Sequence, residues 1–282
     1  RGDMSRYTLH QGDSREVLKT LADNSVDSIV CDPPYELGFM GRSWDNTGIA
    51  NDVTLWREAL RVAKPGAWLL AFGGTRTFHR MPCAIEEAGW ELRDAPVRGH
   101  MHQPEDCPWL MGWMYGSGFP KSHNGDWGGT ALKPAWEPIV CARKPLIGTV
   151  AENWAAHGIG GLNIDGCRVN PGEKVSGGGG NKASWRAAEG RNDVPPARPT
   201  TGHDAGRWPA NLIHDGSDEV VALFPESTSG AMKAGTQRAA QDEPGSVCFG
   251  TYGGNATSTE ISASSGSAAR FFYCAKASKE DR

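Results

Sequence analysis

Through its first 94 residues the sequence alternates between short apolar runs of extended character and amphipathic stretches with helical spacing. No other feature restricts the fold as much, because strand–helix–strand units close into a sheet with helices on its faces and strands that run mostly in parallel. Residues 7–10 predict a first short strand. Gly12-Asp13-Ser14 makes the following turn and supplies an N-cap for a helix over 14–22, where Val17, Leu18 and Leu21 recur at helical spacing. The run 27–31 predicts a buried strand. Residues 52–63 predict a helix with Val53, Trp56, Leu60 and Ala63 on one face, closed by Lys64-Pro65-Gly66. A strand over 67–72, a helix over 77–88 and a strand opening at 90–94 complete the series.

Beyond this point the periodic order thins. WEPIVCAR (136–143) predicts a strand and 149–157 a helix. From 158 to 269 Gly, Pro, Ser, Asn and Thr dominate, and stretches such as 177–180 and 193–201 carry little from which to build a core. Three islands, 162–169, 208–214 and 219–224, are apolar enough to dock. RFFYCA (270–275) predicts a strand returning to the sheet. The expected organisation is a doubly wound, mostly parallel α/β core over 4–157, a loop-rich lobe over 158–269 and a returning strand over 270–282. Arg1-Gly2-Asp3, ahead of Met4, reads as an appended tail and is set apart from the fold.

Composition narrows the function classes. With 29 basic and 33 acidic residues and a net charge of −4, the chain is no strongly basic nucleic-acid binder, so a polyanion would have to meet a local patch. Seven cysteines, none in a C-x-x-C pair, read as reduced thiols of a cytoplasmic protein. No apolar run approaches the roughly 18 residues that span a bilayer. His100, His102 and Cys107 (HMHQPEDC) lack an evident fourth metal ligand, and no metal is expected. Cys83 falls in mid-helix and reads as a small buried residue rather than a nucleophile.

The strand over 27–31 ends at Asp32-Pro33-Pro34-Tyr35, which can neither extend it nor begin a helix. In open α/β sheets, ligands bind beyond the carboxyl ends of the strands. The two prolines fix the backbone and remove two N–H donors, leaving the carbonyls of Asp32 and Pro33 as oriented acceptors. A carboxylate, rigid carbonyls and an aromatic face, with no nucleophile, suit a planar substrate that bears an amino group. The exocyclic amine of a nucleobase meets that description once the base is flipped out of its duplex. A capped turn with proline punctuation is the plainer alternative.

The stretch GDSREVLKTLADNSVDSIVCDPPY resembles the opening of amino-specific DNA methyltransferases, whose catalytic motif is [DNS]-P-P-[YFW]. The D-P-P-Y form is most typical of adenine-N6 enzymes, and S-P-P-[YFW] is commoner where cytosine N4 is the target. LRVAKPGAWLLAFGGTRTFHRM, GSGFPKS, ALKPAWEPIVCARKPL and RFFYCAKASKEDR are similar to a phage- and prophage-type subfamily, and the motif order matches the permuted β class. The resemblance implies a Rossmann-like methyltransferase sheet with a target-recognition lobe, S-adenosylmethionine as cofactor and double-stranded DNA as partner. It also implies work inside a bacterial or phage-infected cell, in restriction–modification settings.

Carried over by position, Asp32 and the Pro33 carbonyl would bind the adenine amine, with Pro34 stiffening the corner and Tyr35 stacking on the base. Asp32 and Asp13 would contact the cofactor, although Asp13 is equally placed to be an N-cap. Arg42, Trp44, Arg76, Lys121, Ser122, Lys133, Arg186 and Arg207 are candidate DNA contacts, and solvated loop charges are the alternative for most of them. The cofactor loop of this class, a D-x-F-x-G-x-G-like strand-to-helix turn, is not found. Segments 71–74 (AFGG) and 249–254 (FGTYGG) lack its acid–Phe–Gly spacing. The expectation is a truncated chain. A complementary chain or second copy that carries the loop, or an inactive relative, are the alternatives. Cytosine-N4 methylation is the nearest rival activity, and a non-catalytic DNA-binding or interaction module the rival from another class.

Overall fold

The computed structural model describes residues 7–38, 41, 43–93, 110–118, 123–169, 205–231, 233 and 263–274. These residues divide into two compact units. The first draws on Arg1–Asn163, Asn211–Ser217 and Cys274–Arg282, the second on Ile164–Ala210 and Asp218–Tyr273.

In the first unit, Asp13 caps the short helix α1 (Ser14–Val17) by accepting from the Arg15 amide. A 3-10 turn over Leu18–Thr20 continues it, so the amphipathic stretch winds less regularly than its spacing predicts. Strand β1 (Val26–Cys31) leads to the proline corner. Helix α2 (Val53–Val62) starts at Asp52, which accepts from the Thr54 amide, and runs straight into β2 (Ala63–Phe72). Helix α3 (Arg80–Glu87) and the short strand β3 (Glu91–Leu92) follow. Next come β4 (Leu110–Met114), a small ribbon of β5 (Asn124–Gly125) with β6 (Gly128–Gly129), and the long strand β7 (Trp136–Arg143). Helix α4 (Val150–His157) opens on a capping box between Thr149 and Glu152 and closes on Gly158 in the left-handed region at φ 73°. Strand β8 (Leu212–His214) completes the unit's share.

The sheet runs in the order β1-β2-β7-β4-β8, with β3 also on β7, and ends in β11 (Tyr273–Cys274) once α5 (Asp218–Val221), β9 (Glu226–Ser229) and β10 (Ser264–Ser267) have been passed. Pairs β1/β2 and β4/β8 are parallel. Strand β7 is antiparallel to β2, β3 and β4. The α/β class stands, but the sheet is mixed where the alternation predicts mostly parallel strands, because β7 enters against its neighbours. The carboxyl ends of β1, β2, β4 and β8 and the amino end of β7 consequently share one sheet edge.

The core lies between β2, β7 and the helices. Leu69, Val140 and Ile85 are fully buried among Trp56, Ala59, Met81 and Trp90, each large aliphatic contributing about 1.5–3 kcal/mol. Both indoles are satisfied, Trp56 Nε1 donating to the Ala50 carbonyl and Trp90 Nε1 to that of Trp56. Asn153 on α4 has 0% exposure, and each of its polar atoms is used. Its Nδ2 donates to the carbonyls of Pro65 and Ile159, and its Oδ1 accepts from the Ile147 amide.

Several expectations are corrected. Residues 7–10 form no strand, and Leu9 is 88% exposed. The buried face of α2 is Leu55, Trp56, Ala59 and Val62, a slight rotation from the predicted stripe. Helix α3 begins at Arg80 rather than 77, and Cys83 on it is exposed rather than buried. Strand β4 was not foreseen.

The second unit is held differently. Val169 and Arg207 form an antiparallel bridge, and β9 pairs antiparallel with β10. Arg270 donates to carbonyls of Gly266, Ser267 and Ser227, which ties the turn after β10 to β9. Phe224 and Phe272 pack with ring centroids 5.2 Å apart.

Candidate active site

Strand β1 delivers Asp32 to the shared sheet edge, where it is exposed, while Pro33, Pro34 and Tyr35 are half-buried. The loop that follows is a built structure. Glu36 takes the left-handed conformation at φ 56°, its amide donates to Asp45 Oδ1, and Asp45 is 2% exposed. The Gly48 amide donates to Glu36 Oε2 at 2.9 Å and the Gly38 amide to the Asp45 carbonyl at 3.0 Å, closing the loop onto its own base. Tyr35 is thereby fixed from its downstream side.

Its other contacts come from the turn that follows β2. Thr77 donates its hydroxyl to the Tyr35 carbonyl. The Tyr35 ring lies so close to the Gly73-Gly74 turn that a Cβ on Gly74 would stand 2.9 Å from Cδ2 and 3.2 Å from Cβ and Cγ. Beside this contact opens a pocket with about 210 Å³ of empty space, part of it open solvent. Pro34, Tyr35, Glu36, Ala50, Asn51, Phe72, Gly73, Gly74, Thr77, Phe78 and Met81 line it.

The carboxylates of Asp32 and Glu137 lie near enough to the Tyr35 hydroxyl to act on it. Burial, then the charges of Glu137 and Asp32, push the phenol far above its ordinary range. Glu137 stands near the amino end of β7, opposite Trp113. Burial and then the Asp32 charge hold its carboxyl above the ordinary Glu value, against the Tyr35 hydroxyl, which lowers it. Cys31, beneath the corner, is pushed up to about 12 by burial and by Asp32, so its thiol stays protonated near neutrality. Further along the edge, Asp215 after β8 accepts from the Gly116 amide after β4 and from the Ser217 amide and hydroxyl. Burial raises the Asp215 carboxyl, and those hydrogen bonds outweigh it and hold it low.

The other sequence candidates separate. Asp13 is exposed, and its carboxylate is engaged by Arg15 through Nη2 at 2.7 Å and Nε at 3.0 Å. That side-chain pairing and the Arg15 amide lower its pKa to about 2. Trp44, 57% exposed, sits in the 3-10 turn Ser43–Asp45 of the closed loop, and Arg76 is exposed in the turn between Gly74 and Thr77. Both are within two residues of groups that fix Tyr35 or its loop. Lys133 is exposed on the approach to β7. Arg207, in the second unit, stacks its guanidinium 4.6 Å from the Phe271 ring centroid, with Arg270 at 4.2 Å from the same ring. Arg42, Lys121, Ser122 and Arg186 lie outside the described residues, as do His100, His102 and Cys107. Among the described residues no cluster of three or more His, Cys, Asp or Glu could hold a metal, and no helix is long and apolar enough to cross a membrane.

Glu137, Gly74 and Thr77 escaped the sequence reading. For Glu137 the signal was present: an acid just ahead of the buried run Pro138-Ile139-Val140-Cys141-Ala142.

No family model matches the chain. It is 37% identical over 95 residues to YubD, a methylase candidate of Escherichia coli strain K12, a match covering 32% of this chain and 40% of YubD. Among solved structures it is similar to TTHA0409, a DNA modification methylase candidate of Thermus thermophilus, with a TM-score of 0.33, 20% identity and coverage of 51% of this chain and 56% of that one. It is also similar to M1.HpyAVI in complex with S-adenosylmethionine, with a TM-score of 0.31, 16% identity and coverage of 50% and 55%. The chain therefore spans less than half of the curated relative and little more than half of these structures.

Proposed function

We propose that the chain is a site-specific DNA methyltransferase that moves a methyl group from S-adenosylmethionine to the exocyclic N6 of an adenine flipped out of the duplex. One observation carries the reading: an exposed Asp32 and a half-buried Tyr35 stand together at the carboxyl edge of parallel strands, and Tyr35 lines a small pocket there. Partial similarity to the methylase candidate YubD adds support.

In this reading Pro34, Phe72, Phe78 and Met81 supply apolar walls and Tyr35 lies against the base. Asp32 and the Pro33 carbonyl accept the two amine N–H bonds, which directs the nitrogen lone pair away from the ring and toward the methyl carbon. The cofactor supplies an electrophilic methyl carbon next to a positively charged sulfur. Catalysis by the protein is positioning and electrostatics, because no covalent enzyme intermediate is required and the Cys31 thiol stays protonated. The proton shed by nitrogen after transfer passes to Asp32 or to water.

Of the two acids assigned to the cofactor, Asp32 fits, since it is exposed beside Tyr35 and offers a counter-charge. Asp13 fits less well, because it would first have to release Arg15. The partner is double-stranded DNA, with Trp44, Arg76 and Lys133 as candidate contacts in the first unit. A second copy, or a complementary chain carrying a cofactor loop, belongs to the same proposal. Strand β1 is the outermost of the sheet, and its Val30 is 68% exposed. The test incubates purified chain and its Asp32→Ala variant with labelled S-adenosylmethionine and unmethylated duplex DNA, then maps the modified base. The wild-type chain should yield N6-methyladenine, and the variant none, with unchanged thermal unfolding. Label on cytosine N4 would replace the base assignment. DNA binding without transfer would replace the enzyme with a binding module.

A further inference from the structure

We propose that Trp127, at the tip of the β5–β6 ribbon, stacks its indole on the bases of duplex DNA and fills the gap that an extruded base leaves behind. This deepens the methyl-transfer reading and rests on it for the extruded base. Strand β4 ends and β7 begins at the sheet edge that carries Asp32 and Tyr35, so the connection between them leaves and rejoins the sheet there. Its two legs stay together. The Tyr115 amide donates to the Ala135 carbonyl at 3.0 Å, and a Cβ on Gly118 would collide with the Pro134 carbonyl. Farther out the His123 amide donates to Thr130 Oγ1 at 2.9 Å, and Asn124 and Gly125 pair antiparallel with Gly129 and Gly128. Asp126 and Trp127 make the turn, which Gly128 closes at φ 93°.

Trp127 is 77% exposed, yet its ring is seated. A Cβ on Gly125 would stand 2.5 Å from Cη2 and Cζ3 of the indole and 2.8 Å from Cε3, so the six-membered ring rests on bare glycine backbone. Leu132, on the returning leg, is 93% exposed, so neither large apolar side chain is spent on core packing. Charge selects the partner. Asp126 beside the indole repels phosphate, which suits the tip to base faces rather than to the backbone, while the exposed His123 and Lys133 lie farther down the legs, where phosphates would run. Taking one base out of a duplex costs its stacking on both neighbours, and an indole in its place restores such contacts.

Binding of labelled mixed-sequence duplexes, with and without a single abasic site, is measured by fluorescence anisotropy for wild type, Trp127→Ala, Trp127→Phe and Gly125→Ala. The abasic site offers the gap ready-made. Wild type should bind it about tenfold more tightly than the intact duplex, the scale of one aromatic–base stack. Trp127→Ala should lose that preference, with affinity for the intact duplex and thermal unfolding unchanged. Trp127→Phe should keep most of it. Gly125→Ala keeps the indole but pushes it off its seat, and should fall between wild type and Trp127→Ala. Methyl transfer at the mapped base is then compared on paired and mismatched targets. Trp127→Ala should lower kcat/KM about tenfold on paired DNA and far less where the target base is mismatched, because such a base leaves the stack more readily. A wild type without the abasic preference, a Trp127→Ala that retains it, or a kcat/KM on paired DNA that Trp127→Ala leaves unmoved or lowers no more than on mismatched DNA overturns the proposal. An inactive wild type whose abasic preference vanishes in Trp127→Ala overturns methyl transfer, while the stacking of the indole on duplex DNA stands.

Discussion

Substituting alanine for Gly74 adds one methyl group at the tightest point of the site. Gly74 is not in the left-handed region, so alanine meets no torsional penalty and the whole effect is contact. The new Cβ would lie 2.9 Å from Tyr35 Cδ2, where carbon atoms at rest stand about 3.5–4.0 Å apart. The ring must therefore retreat by about 0.5–1 Å. It cannot take its backbone along, since Thr77 holds the Tyr35 carbonyl and the Glu36–Asp45 loop holds the next residue. The ring tilts out of its place. Overpacking of this size costs about 1–3 kcal/mol of stability. A displacement near 1 Å in a positioned group costs up to about a hundredfold in rate. Gly73→Ala is the matched control, because its Cβ would meet Phe78 Cβ at 3.0 Å and Met81 Cε at 3.1 Å. Urea unfolding and methyl-transfer kinetics on both variants separate the effects. The expected result is a similar loss of stability in the two and a far larger loss of kcat/KM in Gly74→Ala. Equal activity losses, or a fully active Gly74→Ala, would refute the claim that the position of the Tyr35 ring governs the chemistry.

Asn153→Ala should destabilise the first unit by about 3 kcal/mol, since it strands the Ile147 amide and the carbonyls of Pro65 and Ile159 in a fully buried place. A urea midpoint shift worth under about 1 kcal/mol would contradict that. Asp13 has a folded pKa of about 2 against an ordinary 3.8, so its stabilising contribution is complete above the ordinary value and is lost as pH falls toward 2. Asp13→Ser keeps a cap but no charge, and its urea midpoint should fall less steeply than that of wild type between about pH 4 and pH 2. At about pH 7.5 iodoacetamide should modify the exposed Cys83 and spare Cys31, whose thiol is pushed up to about 12. Peptide mapping with Cys31 alkylated first would show that the corner is not as buried as described.

What the sequence disclosed, it disclosed through local chemistry. Helix α4 is spelled out by Thr149, Glu152 and Gly158, a start and a stop written within its own residues. The proline corner is equally local: two adjacent rings end a strand wherever that strand lies. Partnership was not legible. Nothing within WEPIVCAR states that β7 will run against β2 and β4, because a strand's own residues carry its pleat and not its neighbour's direction. Strand β4 (LMGWM) was passed over because a short unbroken apolar run has no period to distinguish strand from helix. Cys83 was misplaced because Met81, Pro82, Ala84 and Ile85 take the packed face of α3 and leave position 83 outside it.

The candidate site follows the same division. Asp32 and Tyr35 could be named early because they are neighbours in the chain. Gly74, Thr77 and Glu137 act on Tyr35 only because β2 and β7 carry them to the edge that β1 reaches. The single antiparallel strand that departs from the expected sheet is what places Glu137 there. Had β7 run parallel, its amino end and Glu137 would lie at the opposite edge, away from Tyr35. The reversal of β7 is thus tied to the chemistry of the corner, and a carboxylate moved from position 137 to the far end of β7 should be unable to replace it.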